Sequence, residues 1–274
     1  MRYVAKQARE GINVSKTHPL VEAGTLVAGL SILFGLGVVA LIFLVEVSLY
    51  FISPQAEAEF FDRWMPEDLI AVSEDDERRA GTQLIVDRLA LHWPDSPYQF
   101  RVEIDESEQS NAMALPGGLI IVTQGLLDQV ESENELAFVL GHELGHFHNR
   151  DHLRALGRGA VLSIVFAVVT GGDVAGIGVR IADLTLRGFS RAQESDADEF
   201  GLQLVHAEYA HVGEAWRLFE RWHEYEGESL IEFVTYLSTH PQTGERIDEL
   251  REFAVQNSWP VEGELTPLAW TTNP

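Results

Sequence analysis

Residues 142–146 read His-Glu-Leu-Gly-His. In a helix, positions i and i+4 share one face about 5–6 Å apart. His142 and His146 can therefore each offer a ring nitrogen to one metal ion at about 2.0–2.1 Å. Glu143 falls one residue on, beside the ion and not on it, where a carboxylate serves as general base toward water. That is the chemistry of metal-assisted hydrolysis. A catalytic zinc site takes three protein ligands and keeps one position open. Glu194-Ser195-Asp196-Ala197-Asp198 supplies two carboxylates at i and i+4 on a second helix. Glu194 is the best candidate for the third ligand, with Asp198 orienting a ligand histidine through its free N–H. An acidic pair at this spacing is usually a solvated face; only its combination with the histidine motif makes it a ligand candidate. His148 and His152 are also four apart, but rotated around the helix from His146. They read as structural or surface residues, as do His18, His92, His206, His211 and His223.

The rest of the composition narrows the chemistry. The 274 residues include no cysteine, which removes disulfides, thiolate ligands and cysteine nucleophiles together. Any metal site must use His, Asp and Glu. A formal net charge of -24 excludes nucleic acid as a partner, because phosphates would be repelled. It reads as a solvated acidic surface, with a preference for basic substrates as the sharper alternative.

The motifs need elements to hold them. Glu131 to His152 has the pattern of a helix, with Ser132 as cap and Glu135 as its reciprocal partner three residues on. Gly141 and Gly145 each lower helix propensity by up to about 1 kcal/mol relative to Ala. Room for close packing or for a metal would explain them. Glu194 and Asp198 lie in a helix expected over residues 187–206, and further helices are expected over 67–93, 212–225 and 244–255. Gln99 to Asp105 alternates as a strand, with Phe100, Val102 and Ile104 on one face, and Leu119 to Thr123 is a second strand. The fold class is mainly α with a small β-sheet, an α+β arrangement.

One segment belongs in a bilayer. Ala23 to Val45 is 23 residues without a charge. As a helix it rises roughly 34 Å, against a hydrocarbon core of about 30 Å. Arg2, Lys6, Arg9 and Lys16 precede it, while Glu57, Glu59, Asp62, Glu67 and Asp68 follow. Positive-inside places the tail in the cytoplasm and the rest on the periplasmic or extracytoplasmic side. Ala56-Glu57-Ala58 has the look of a cleavage site, but the apolar run exceeds a signal h-region, so an uncleaved anchor is expected. Ala160 to Thr170 is too short to span, and a crossing there would separate His146 from Glu194. It reads as buried or resting on the bilayer surface. The organisation expected is a cytoplasmic tail at 1–22, an anchor at 23–52, a linker and helical lead-in at 53–98, a core at 99–256 and an irregular tail at 257–274.

Taken in order, four blocks carry a resemblance. They are Asn111 to Gly118 with Gly125-Leu126-Leu127, the His142–His146 motif, Arg191 to Asp198, and Ser238-Thr239-His240-Pro241 with Arg246. Over roughly residues 105–250 the chain resembles the M48 family of zinc metallopeptidases, including its periplasmic and mitochondrial quality-control members. The resemblance implies one Zn²⁺ per chain on His142, His146 and Glu194, with Glu143 as catalytic base. It implies that Asp198 is a supporting residue or proton donor and that His240 and Arg246 lie near the reacting carbonyl. It also implies a gluzincin-like metallopeptidase domain behind one N-terminal transmembrane helix, with a sheet edge that receives polypeptide substrate as an added strand. Membrane-embedded members carry several spans, some between the zinc motifs; the single span here points to the soluble-domain branch and away from a prenyl-protein protease. The reading is a membrane-anchored endopeptidase acting on envelope or membrane-associated, misfolded proteins. A tethered chaperone or binding module with a silenced or latent metal site is the alternative. Oligomeric state, cleavage preference and natural substrate stay open.

Overall fold

A computed structural model describes residues 17–64, 76–170, 189–225, 240 and 244–271. Helix α1 runs Pro19–Leu49. It is long and apolar enough to cross a membrane, and Leu20, Leu26, Leu30 and Leu33 along it are exposed. Residues 1–44 form one unit and residues 45–274 a second.

The second unit is built around one helix. Helices α2 (Pro54–Trp64), α3 (Asp76–Leu91) and α4 (Gln124–Leu127) precede α5, Glu133–His148. Every residue of α5 from Glu133 to Phe147 is buried. Leu136, Phe138, Leu140, Leu144 and Phe147 anchor the core around it, and its buried polar residues, Glu133 to Glu135, His142, Glu143 and His146, lie in the same helix. Cover comes from α3, from a small sheet, and from α7 (Arg191–Tyr209), α8 (Arg217–Tyr225) and α9 (Gly244–Gln256). Helix α6, Asp151–Thr170, follows α5 directly.

The sheet has strands β1 (Arg101–Asp105), β2 (Ala112–Leu115) and β3 (Leu119–Thr123) in the order β1-β3-β2. β1 runs parallel to β3, with Val102 opposite Ile120, and β2 runs antiparallel to it, with Met113 opposite Ile121. The β2–β3 turn is Pro116-Gly117-Gly118, and both glycines have φ of 83°, a backbone region that side chains disfavour. β2 is an edge of this sheet and lies against α5.

The structure departs in several places from what the sequence alone leads one to expect. The helix expected to run to His152 breaks at Asn149 and Arg150, where Arg150 takes a left-handed φ of 56°. Ser132 caps α5 through Glu135 N–H at 3.3 Å. The Glu135 carboxylate accepts instead from Glu131 N–H and from Arg221, because a charged guanidinium holds it more strongly than the cap backbone does. The stretch expected as a polar linker after residue 53 is helix α2, with Glu57 buried on its inner side. The apolar run 160–170 continues α6, where Val161 and Ser163 are buried. The segment 257–268, irregular as expected, is nevertheless docked. Thr266 O accepts from Glu133 N–H at 2.9 Å, Thr266 N–H donates to Asn134 at 2.9 Å, and Leu268 is buried. It thereby satisfies one orphan donor at the N-terminus of the central helix. The first part of the helix expected from 67, and Ser238, Thr239 and Pro241, lie outside the described residues.

Candidate metal centre

The site forms where α5 crosses α7 at a separation only glycine permits. A Cβ on Gly145 would stand 2.7 Å from Ala197 Cα, and one on Gly201 would stand 2.7 Å from His142 N. A Cβ on Gly141 would stand 3.0 Å from Gly201 Cα. The helix propensity given up at these positions is therefore exchanged for backbone contact, which carries the Glu194 side chain to the two histidines. Ser190 caps α7 in a full capping box with Gln193, so the first turn that bears Glu194 is fixed.

His142, His146, Glu194 and His240 each bring one donor atom into a cluster in which all lie within 4.8 Å of one another, and all four side chains are buried. His142 Nε2 and His146 Nε2 are 3.1 Å apart. His240 Nδ1 stands 3.2 Å from the first and 3.4 Å from the second, and 3.2 Å from Glu194 Oε1. Glu194 completes the set at 3.6 Å from His142 Nε2 and 3.7 Å from His146 Nε2. Ligand atoms about 2.0–2.1 Å from one ion at tetrahedral angles stand roughly 3.4 Å apart. The cluster has the size a metal requires.

The far nitrogens tell the same story. His142 Nδ1 is 2.8 Å from Asp198 Oδ1, and His146 Nδ1 is 3.1 Å from Asp151 Oδ2. A carboxylate accepts only, so each Nδ1 carries the proton and each Nε2 presents a lone pair. Two lone pairs aimed at each other across 3.1 Å repel unless a cation lies between them. Burial holds His146 below its ordinary pKa, the neutral form a ligand needs, although its bond to Asp151 works the other way.

Behind the donors sits an ionic frame. Arg246 Nε donates to Asp198 Oδ2 at 2.8 Å and Nη2 donates to Oδ1 at 2.7 Å, while Nη1 lies 2.7 Å from Glu194 Oε2. Burial would push both carboxyls up. Arg246 and His142 hold Asp198 below its usual range, and His240, His142 and Arg246 do the same for Glu194. Both are ionised, which suits Asp198 to orienting His142 and not to donating a proton. The guanidinium of Arg246 is fully engaged behind the donors, which fits positioning better than contact with a reacting carbonyl. His240 is drawn further in than the resemblance implied. Its Nδ1 stands among the donors and its Nε2 is 3.7 Å from Glu143 Oε1. Burial lowers the His240 pKa, and the charges of Glu194 and Glu143 raise it above its ordinary value.

Glu143 differs from every other acid here. Both its oxygens are buried and neither has a hydrogen-bond partner among the described residues. A buried carboxylate without partners is a costly arrangement that asks for a group to complete it.

Two participants escaped the sequence reading. Phe189 stacks on His146, with ring centroids 3.9 Å apart and planes at 23°, and leans toward His240. Asp151 holds His146 from the turn after α5. An acid five residues past a motif histidine is a weak signal, and an aromatic before a cap residue is weaker.

The chain is similar to known peptidases. The model of peptidase family M48 matches residues 75–254. The mitochondrial metalloendopeptidase OMA1 of Schizosaccharomyces pombe is 30% identical over 193 residues, covering 64% of this chain and 56% of the relative. OMA1 of Danio rerio is 29% identical over 219 residues, covering 72% and 44%. The protease HtpX homolog of Thermococcus kodakarensis is 29% identical over 236 residues, covering 72% and 77%. The chain thus spans about half the length of the OMA1 relatives it matches.

Proposed function

Since the chain belongs to peptidase family M48, we propose that it is a membrane-anchored, zinc-dependent endopeptidase that hydrolyses envelope or membrane-associated proteins, misfolded ones in particular. The observation that carries this is the set of buried donors at tetrahedral spacing beside an unpartnered glutamate.

His142, His146 and Glu194 would hold the ion. The chemistry a bound zinc supplies is Lewis-acid polarisation of a carbonyl and activation of water near neutral pH. Glu143 accepts the proton of the attacking water and passes it to the leaving amine. Asp198 and Asp151 fix the tautomers of the ligand histidines, and Arg246 holds Glu194 and Asp198 in register. His240 faces both Glu143 and the donors, where its Nε2 can donate to a developing oxyanion. The edge of β2, beside α5, offers backbone groups to an extended polypeptide. In this reading the segment 1–22 is cytoplasmic, 23–52 is the anchor, and the core at 99–256 lies on the extracytoplasmic side, as the basic residues before α1 favour.

A second reading concerns state. His240 Nδ1, 3.2–3.4 Å from the other donors, is placed to serve as a fourth ligand, which would leave no position open and make this a latent form. A tethered binding module with a silenced site is the reading from another class, and the Glu143 carboxylate weighs against it, since a closed structural site has no use for a base.

The test is purified full-length chain, with its metal content measured, incubated with an unstructured protein substrate. Wild type should cleave, chelator should stop cleavage, and Glu143→Gln should bind metal without cleaving. Full activity in Glu143→Gln would sink the mechanism. His240→Ala that cleaves faster than wild type would establish the latent state, and one that cleaves slower would assign His240 to the reaction.

A further inference from the structure

A second buried glutamate lies where the apolar helix ends. Glu57 of α2 is 4% exposed. Its Oε1 accepts from Gly117 N–H at 3.1 Å and lies 2.8 Å from His152 Nε2. Its Oε2 accepts from Tyr98 Oη–H at 3.2 Å and from Arg150 Nη2 at 3.1 Å. Every lone-pair direction of this carboxylate is spoken for, and its partners come from three distant parts of the chain.

Arg150 is the other half of the joint. Its Nη1 donates to Leu49 O at 2.7 Å, a carbonyl at the C-terminal end of α1 that the helix itself leaves unsatisfied, and to Ile52 O at 2.9 Å, three residues past that end. Its left-handed backbone, unusual for a residue with a side chain, is what breaks α5 from α6 and aims the guanidinium at α1. The first turns of α6 reinforce the seam: Arg154 Nε donates to Glu46 at 3.2 Å, and Gly157 lies so near Val45 that a Cβ would meet it at 2.3 Å.

Between the two ends of this clamp sits Asp151, the residue that orients His146. It follows Arg150 and precedes His152, so three consecutive residues bind the exit of α1, the metal ligand and Glu57. His152 Nδ1 also lies 3.4 Å from His146 O. We infer that Glu57 is a positioning residue for the metal centre: by fixing the 150–152 turn against the end of the spanning helix, it sets the orientation of His146. Through Gly117 the same carboxylate holds the turn that leads out of edge strand β2. On the peptidase reading, on which this rests, the membrane exit is thereby a working part of the active site and not a tether.

The experiment uses the full chain in detergent or lipid nanodiscs with three variants: Glu57→Gln, Arg150→Lys and Leu268→Ala. The last is a core truncation outside the network and serves as the control for lost stability. Two readouts are taken well below the melting temperature of each. The first is the visible spectrum of the Co²⁺-loaded protein with kcat and KM on an unstructured protein. Outer partners of metal ligands typically contribute 10–100-fold to activity or metal affinity, so Glu57→Gln and Arg150→Lys should lower kcat about tenfold, keep KM within about twofold, and shift the Co²⁺ bands. The second is amide exchange in the metal-free protein, which should speed up at residues 145–152 in these variants and not in Leu268→Ala. Bands and exchange that match Leu268→Ala would overturn the inference. Wild type that cleaves nothing would instead defeat the peptidase reading, and the exchange comparison would still decide the role of Glu57.

Discussion

Glu143 and Glu57 are both buried glutamates, one beside the donor cluster and one bonded to the turn that follows its helix, and they are built in opposite ways. Glu143 has two oxygens without a hydrogen-bond partner among the described residues, and Glu57 has four partners on its two. Removing a carboxylate from water is costly in either case. At Glu57 the cost is offset by charge-assisted bonds to segments far apart in the chain, so the residue holds its neighbours in place. At Glu143 no hydrogen bond among the described residues offsets it, and the nearest counter-group is His240 Nε2 at 3.7 Å, which leaves both oxygens available to a proton. Partner count, more than burial, separates the acid that works from the acid that holds.

The contrast can be broken at several points. The largest effect is expected at the donors. His146→Ala should abolish both stoichiometric metal binding and cleavage, as read by elemental analysis and a peptide assay, while metal retained at full stoichiometry would remove His146 from the ligand set. Next comes the base. Glu143→Gln should lower kcat/KM by about 10²–10⁴-fold with metal content intact. Its melting temperature should hold or rise, because an unpartnered buried charge has been removed. A clear loss of stability would mean Glu143 has been misread as the opposite of Glu57.

Behind the donors, Arg246→Lys keeps the charge but loses the fork that spans Asp198 and Glu194. Metal affinity or activity should fall about 10–100-fold, measured by competition with a chromogenic chelator. An unchanged affinity would reduce the frame to ordinary packing.

At the exit joint the effect should be on stability and should depend on pH. Burial would raise the Glu57 carboxyl, but His152, the Gly117 N–H and Arg150 together hold it below its ordinary value of 4.5. A depressed carboxyl contributes stability that is present above the unfolded value and lost as pH falls through the folded one. Glu57→Gln should therefore be less stable than wild type by about 1–3 kcal/mol near neutral pH, and the gap should close below about pH 4.5. Melting curves of both proteins across pH check this, and a gap that widens on acidification would reverse the sign. The smallest effect is expected at the surface. Arg191 and Glu245 pair at 3.3 Å with side chains 83% and 73% exposed, so Arg191→Gln should leave melting temperature and activity unchanged within error.

The sequence made the reactive end of this comparison easy to read and the supporting end hard. His142, Glu143 and His146 lie within five residues, and helix geometry alone places them on one side. The α5 cap at Ser132 and strands β1 and β3 were equally legible, being local. β2 was not, because Ala112–Leu115 has neither the β-branched content nor the length to announce a strand; it is one because β3 pairs with it. Residues 54–62 looked like a polar linker because Glu57 is a surface residue by type. Its partners stand 41 to 95 positions away, and no window of sequence contains them.

By itself, then, the sequence determined the donor types, the acid beside them, the apolar span and the absence of thiol chemistry, since each follows from residue identity and short-range spacing. Only the tertiary structure decided that Asp151 joins Asp198 in holding the histidines, that His240 stands among the donors, that Arg246 is held behind them, and that Glu57 and Arg150 join the end of α1 to the turn after α5. Those facts depend on how closely α5 and α7 approach and on where the chain turns at Arg150. The first rests on backbone contact and the second on side-chain bonds of Arg150, in both cases between segments far apart in the chain.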